Sequence, residues 1–318
     1  MVYDYALWRG DKPFIASFLP GVRHVLDRFL DRRDPDGFVR GRAGEWNFID
    51  WVDAWHKGDE YGTPPGITQA VNATYNWLFV YILGLAQKLE GYAGDAFLAA
   101  RWAAVAETLA SRLIQRFWNS GKGLFQEDDT GRFFSEHAQV LAVLSERLRE
   151  SHKTQLSRSL LSDSRLERCS IFYKHYLFEA SAALHHPEKI ISELGLWTHF
   201  LEQGFKTVPE TPENKTFNQR SDCHGWGAHP IYHLIANIAG IQPAAMGFQE
   251  VRITPQLAGL NDLSAECVHP HGLVSLKATK TSEGVTLIAN LPDKVSGRLV
   301  YDRHTEALKP GENTFHYS

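Results

Sequence analysis

The sequence is short of several things, and each shortage closes a class of function. It has three cysteines in 318 residues, Cys169, Cys223 and Cys267. They are far apart and no C-x-x-C spacing occurs, so neither a disulfide framework nor a cysteine-built zinc site is indicated. No cluster of Lys and Arg stands out against a formal net charge of −4, so nothing reads as a nucleic-acid surface. No apolar run approaches the ~20 residues of a membrane span. The start, Met1 to Ala6, has neither a basic nor an apolar leader segment, which by default implies a cytoplasmic chain.

What is present in quantity is aromatic. Phe, Trp and Tyr make up 12% of the residues, with nine Trp. The chain is long enough for one large domain, or one with a small companion. The densest stretch runs Arg220-Ser221-Asp222-Cys223-His224-Gly225-Trp226-Gly227-Ala228-His229-Pro230. After it, Ile231, Leu234, Ile235 and Ile238 recur at helical spacing, so the polar cluster feeds a helix. An indole offers a flat face to the C–H side of a sugar ring, and Asp, His and Arg can bond its hydroxyls. A capped helix start with buried, satisfied histidines explains any one of these residues, but not the gathering of them all. Cys223 lies within it, but adjacent His224 is poorly placed to activate a nucleophile.

Up to about residue 240 the apolar period is helical. The spacing predicts helices over 13–30 and 68–89, one carrying Trp102 to Phe117 that ends at Asn119-Ser120-Gly121, and others from Ser135 to Leu148 and over 151–167, 172–184 and 190–205. A weak internal repeat relates Arg28–Val39 to Arg116–Glu127, with Phe38 and Phe125 about 87 residues apart, roughly two helical hairpins. Such repeats suggest an α/α toroid whose loops line a central pocket. Beyond Pro243 the period drops to two: Val251/Ile253, Val274/Leu276/Ala278 and Val285/Leu287/Ala289 alternate. The expected architecture is therefore mainly α, with a toroid over 1–243 and a small antiparallel β-sandwich over 244–318. His269 and His271 read as a turn into a strand rather than metal ligands, and no cofactor is expected.

Cleaving a glycosidic bond takes two carboxyl groups, one to protonate the leaving oxygen and one to activate water or attack carbon. The carboxylates placed beside aromatic residues on loops are Asp50, Glu210, Glu213 and Asp222. Glu210 stands out, because it follows a helix end and precedes the loop rich in His and Trp.

RSDCHGWGAHP (220–230), followed by GIQPAAMGFQEVRITPQLAGL (240–260), resembles the C-terminal catalytic region of bacterial α-L-rhamnosidases of glycoside hydrolase family 78. WNFIDW (46–51), SEHAQVLAVL (135–144) and HPHGLVSL (269–276) fit the same family in the same order. The resemblance implies an (α/α)6 barrel with a C-terminal β-sandwich and an inverting enzyme that removes terminal α-L-rhamnose from glycosides or polysaccharides. It gives Glu210 the place of the general base, with Glu213 as fallback. It places Asp50 at the sugar's hydroxyls and His224 at the sugar, and makes Trp46, Trp51 and Trp226 the aromatic walls. Asp222 completes the substrate-binding set by its position inside the cluster. One departure matters: the Asp- and Arg-rich block that carries the family's general acid has no counterpart among these residues. About eight helices are legible, where a closed barrel needs about twelve. Self-association, or upstream domains of a larger chain, is the expectation that follows. The other readings are a carbohydrate-binding relative without catalysis, an inactive fragment, and a different glycosidase or lyase on the same toroid.

Overall fold

A computed structural model describes residues 1–55, 61–163, 165–212 and 220–318. Glu213 lies outside the described residues. In chain order the helices are α1 (Val2–Trp8), α2 (Lys12–Leu30), α3 (Ala73–Ala93), α4 (Ala96–Phe117), α5 (Glu136–Leu144), α6 (Glu150–Ser162), α7 (Lys174–Ala183), α8 (Pro187–Glu193), α9 (Gly195–Glu202) and α10 (Pro230–His233). A two-stranded ribbon, β1 (Trp118–Asn119) and β2 (Leu124–Phe125), follows α4. The later strands are β3 (Ile241–Pro243), β4 (Glu250–Ile253), β5 (Asp262–His269), β6 (Gly272–Thr281), β7 (Gly284–Leu291), β8 (Ser296–Tyr301), β9 (His304–Leu308) and β10 (Gly311–Tyr317). No helix among the described residues is long and apolar enough to cross a membrane.

The chain divides into two compact units. One comprises residues 18–184 and 195–228, the other 1–17, 185–194 and 229–318. In the first unit, α3 packs along α4 and α5, and α5 packs on α7. Trp77, Trp102, Leu113, Phe117, Phe125, Leu141 and Phe178 are buried between these elements. The helix boundaries have identifiable chemical causes. The expected helix from Thr68 begins instead at Ala73, because Asn72 accepts a hydrogen bond from the Tyr75 amide at 2.9 Å and caps it. Gly94, in a left-handed conformation with φ 99°, ends it. Asp95 then caps α4 through the Leu98 amide at 3.0 Å. The single helix expected over 190–205 is two, α8 and α9, and α8 opens on Pro187, where a missing amide donor costs nothing. The helix expected after Pro230 is one α turn followed by a π turn over Leu234–Ile238.

In the second unit, two four-stranded sheets run in the orders β10-β7-β6-β5 and β3-β4-β8-β9. Val274, Leu276, Ala278, Leu287 and Ala289 of the first share one apolar core with Val251, Ile253, Leu299 and Leu308 of the second. Alternation along β6 and β7 is what turns one face of each strand inward. The expectation of a purely antiparallel β region needs one correction: β4 and β8 pair parallel, Val251 opposite Gly297 and Ile253 opposite Leu299. Two-residue periodicity fixes which face is buried but not strand direction, so the sequence pattern is the same in both cases. His269 has both ring nitrogens engaged, Nε2 with the Phe248 carbonyl at 2.6 Å and Nδ1 with the His271 amide at 3.1 Å.

Candidate functional site

Every residue expected at the site and described in the structure falls in the first unit. Asp50 is fully buried. Its Oδ1 accepts from the Trp51 amide at 2.9 Å and from the Ser170 hydroxyl. Its Oδ2 accepts from the Ser170 amide at 2.8 Å and pairs with His137 Nε2 at 2.7 Å. His137, near the start of α5, is itself buried, with the Trp55 ring 4.4 Å away and the Tyr173 ring 4.6 Å away.

The aromatic contacts continue outward. The Phe172 ring lies 5.7 Å from that of Tyr173 and 5.1 Å from that of Trp226, and Trp226 lies 4.0 Å from the His224 ring. Asp50, His224 and Trp226 are thus linked through His137, Tyr173 and Phe172, three residues that sequence reasoning did not single out, while the Trp51 ring packs on Trp46 and Phe48. Trp46 is 61% exposed. Its indole nitrogen donates to the Tyr61 carbonyl at 2.9 Å, and its ring lies 6.0 Å from Trp51. It lines a separate pocket of about 250 Å³ with Arg32, Phe29, Tyr75 and Phe79, and neither Glu210 nor His224 lines that pocket.

The loop carrying Glu210 and the loop carrying His224 are stitched together. Glu210 N–H donates to the Ser221 carbonyl at 2.8 Å, and Glu210 Oε2 accepts from the Ser221 amide at 3.1 Å. The His224 amide donates to the Val208 carbonyl at 2.7 Å. Gly227 seals the turn: a Cβ there would sit 2.5 Å from a Val208 methyl, and the Gly227 carbonyl accepts from Trp197 Nε1 at 2.7 Å. Glu210 is half-buried and has a second oxygen beyond its bond to Ser221. Asp222 is placed differently. Its exposed carboxylate takes Arg220 Nε at 2.8 Å, and that guanidinium lies over the Phe205 ring at 4.8 Å.

Buried polar atoms normally find partners. Among the described residues, Trp51 Nε1, His137 Nδ1, the Tyr173 hydroxyl, His224 Nδ1 and Trp226 Nε1 are buried without a hydrogen bond, as are the core indoles of Trp77 and Trp102. Four of the first five belong to the linked aromatic cluster, Trp51 being the exception. Burial, reinforced by Tyr176 and Asp50 nearby, pushes the Tyr173 phenol well above its ordinary range, so it is a neutral donor.

The three cysteines differ sharply. Burial, with Glu136 and Asp50 adding to it, pushes the Cys169 thiol well above the usual range, and burial also raises Cys267. Cys223 is exposed. Since only the thiolate reacts, iodoacetamide near neutral pH is expected to label Cys223 alone in the native protein, with Cys169 reacting only after denaturation. Peptide mapping by mass spectrometry checks the order.

No protein-family model and no curated protein matches the chain. Solved structures do. The family 78 rhamnosidase of Bacillus sp. GL1 superposes with a TM-score of 0.78 at 22% identity, covering 94% of this chain and 32% of that one. An α-L-rhamnosidase from Aspergillus terreus gives 0.79 at 14% identity, covering 99% and 38%. The Streptomyces avermitilis α-L-rhamnosidase, solved with L-rhamnose, gives 0.74 at 17% identity, covering 99% and 32%. The chain therefore spans about a third of the length of the structures it matches. Over nearly all of its own length, this chain has the fold found in the corresponding part of those α-L-rhamnosidases.

Proposed function

We propose that this chain is a catalytic region of the glycoside hydrolase family 78 type, with its helical unit part of an α/α toroid and its β unit a sandwich. Its ligand is a terminal α-L-rhamnosyl group. The observation that carries the reading is the pair of stitched loops that brings a half-buried carboxylate, Glu210, beside the His224–Trp226 pair. Glu210 is the general base: it is held by the Ser221 amide beside the His224–Trp226 loop, and an inverting mechanism needs a carboxylate there to draw a proton from water. His224, Trp226 and Trp51 contact the sugar. Trp46 and Asp222 lie further out, where they would meet the rest of a longer glycoside.

The acid half of the mechanism has no residue here that matches it. Leaving-group protonation matters most for a sugar alkoxide and least for an aryl oxide that is stable as an anion. The 318-residue polypeptide is therefore expected to turn over natural rhamnosides negligibly and 4-nitrophenyl α-L-rhamnopyranoside weakly but measurably. An assay of the purified polypeptide on both substrates tests this. Rapid turnover of a natural rhamnoside would show an acid among these residues. No affinity for L-rhamnose and no aryl turnover would remove the reading altogether.

A further inference from the structure

Resemblance puts Asp50 at a sugar's hydroxyls, but its surroundings give it other work. A carboxylate offers about four lone-pair sites. The Trp51 amide, the Ser170 hydroxyl and amide, and His137 Nε2 occupy all of them, and the side chain has no exposed surface. No acceptor direction remains for a ligand.

One residue before Ser170, a second buried acid does the same. The Cys169 amide donates to Glu136 Oε2 at 2.8 Å, and Glu136 Oε1 takes the Arg168 guanidinium at 2.5 Å. Consecutive amides of one loop are thus held by carboxylates from two distant parts of the chain. The loop leaves a short parallel bridge, with the Glu167 amide on the Phe134 carbonyl and the Glu136 amide on the Glu167 carbonyl, both at 2.9 Å, and past it charged acceptors on successive N–H groups define its path. That loop leads directly into Phe172 and Tyr173, which pack on Trp226 and His137 respectively.

We propose that Asp50 and Glu136 are positioning residues: they clamp segment 168–170 and so set Phe172 against the Trp226–His224 pair, and Asp50 does not touch the ligand. Only the ligand-binding arm of the test rests on the carbohydrate reading.

The test compares Asp50→Asn, Ser170→Ala, their combination, and Ser170→Thr, using L-rhamnose titrated against tryptophan fluorescence and hydrogen exchange of peptides spanning 168–173. If the clamp is right, Asp50→Asn and Ser170→Ala each speed exchange in that segment. Each weakens L-rhamnose binding by about 3- to 10-fold, the pair together does little more than either alone, and Ser170→Thr restores both readouts. A ligand-contacting Asp50 gives the opposite pattern. Affinity then falls about 100-fold or more in Asp50→Asn, Ser170→Ala binds normally, and exchange is unchanged in both, which overturns the proposal. Should Asp50→Asn fail to fold, Ser170→Ala against Ser170→Thr decides the question alone. If the unmodified protein does not bind L-rhamnose, the carbohydrate reading falls. The clamp is then judged by exchange in Ser170→Ala: faster supports it and unchanged refutes it.

Discussion

Glu210→Gln is expected to abolish the weak hydrolysis of 4-nitrophenyl α-L-rhamnopyranoside while leaving L-rhamnose affinity nearly intact. The amide keeps the size of the side chain, and its oxygen can still accept from the Ser221 amide, so the loop stays in place. What it loses is the capacity to take a proton from water. Positioned general acid–base groups contribute about 10²–10⁴-fold. On the reading that no acid assists the leaving group, a loss of that size carries the remaining turnover to the uncatalysed background. The loss should appear in kcat with little change in KM. Unchanged turnover would show that another group activates the water, with Glu213 the first to examine.

The second large effect concerns stability. Glu127 is only 2% exposed, and its carboxylate accepts from Asn72 Nδ2 at 3.1 Å, from Thr74 Oγ1 at 2.8 Å and from the Ser135 hydroxyl. Asn72 caps α3 and Ser135 caps α5 through the Ala138 amide at 3.2 Å, so one acid ties together the starts of two helices. Glu127→Ala strands three buried donors. Each costs about 1–3 kcal/mol when unpaired, so a loss of about 3–5 kcal/mol is expected by urea denaturation, allowing for partial relaxation. Lys88→Ala is the control. Its partner Glu146, at 2.7 Å, is 66% exposed, and such surface pairs are worth about 0–1 kcal/mol. If the two variants unfold at the same urea concentration, the buried network is not what joins the helices.

What could be read from the sequence divides along physical lines. The extent of α2 and the C-terminal end of α4 follow from apolar residues returning every three to four positions. The β region follows from alternation at Val274/Leu276/Ala278 and Val285/Leu287/Ala289. The seven residues of α1 carry too short a pattern to be recognised. Gathered polar residues also announce themselves, as the His224–Trp226 loop does. Residues that act by being buried do not. In SEHAQ, Ser135 reads as a helix cap and is one, but nothing local shows that Glu136 and His137 meet Cys169 and Asp50. Asp50 and Ser170 are 120 positions apart, and an acid in a sequence looks the same whether it faces a ligand or a pair of backbone amides. The two roles assigned to Asp50, by resemblance and by surroundings, differ for that reason.

The parallel pairing of β4 with β8 also bears on how the molecule is made. β3 meets β4 almost as soon as both leave the ribosome, but the other edge of β4 must wait until β5, β6 and β7 have all been synthesised. Those three strands can meanwhile zip up as neighbouring hairpins. Pairings that skip over intervening chain form late, and an unpaired strand edge is a template for another chain. During that interval Val251 and Ile253 lack the Leu299 side of their core. A nascent chain stalled before Ser296, or one clipped there, would present this edge to its neighbours, and co-translational aggregation should begin from the β4 edge rather than from the helices.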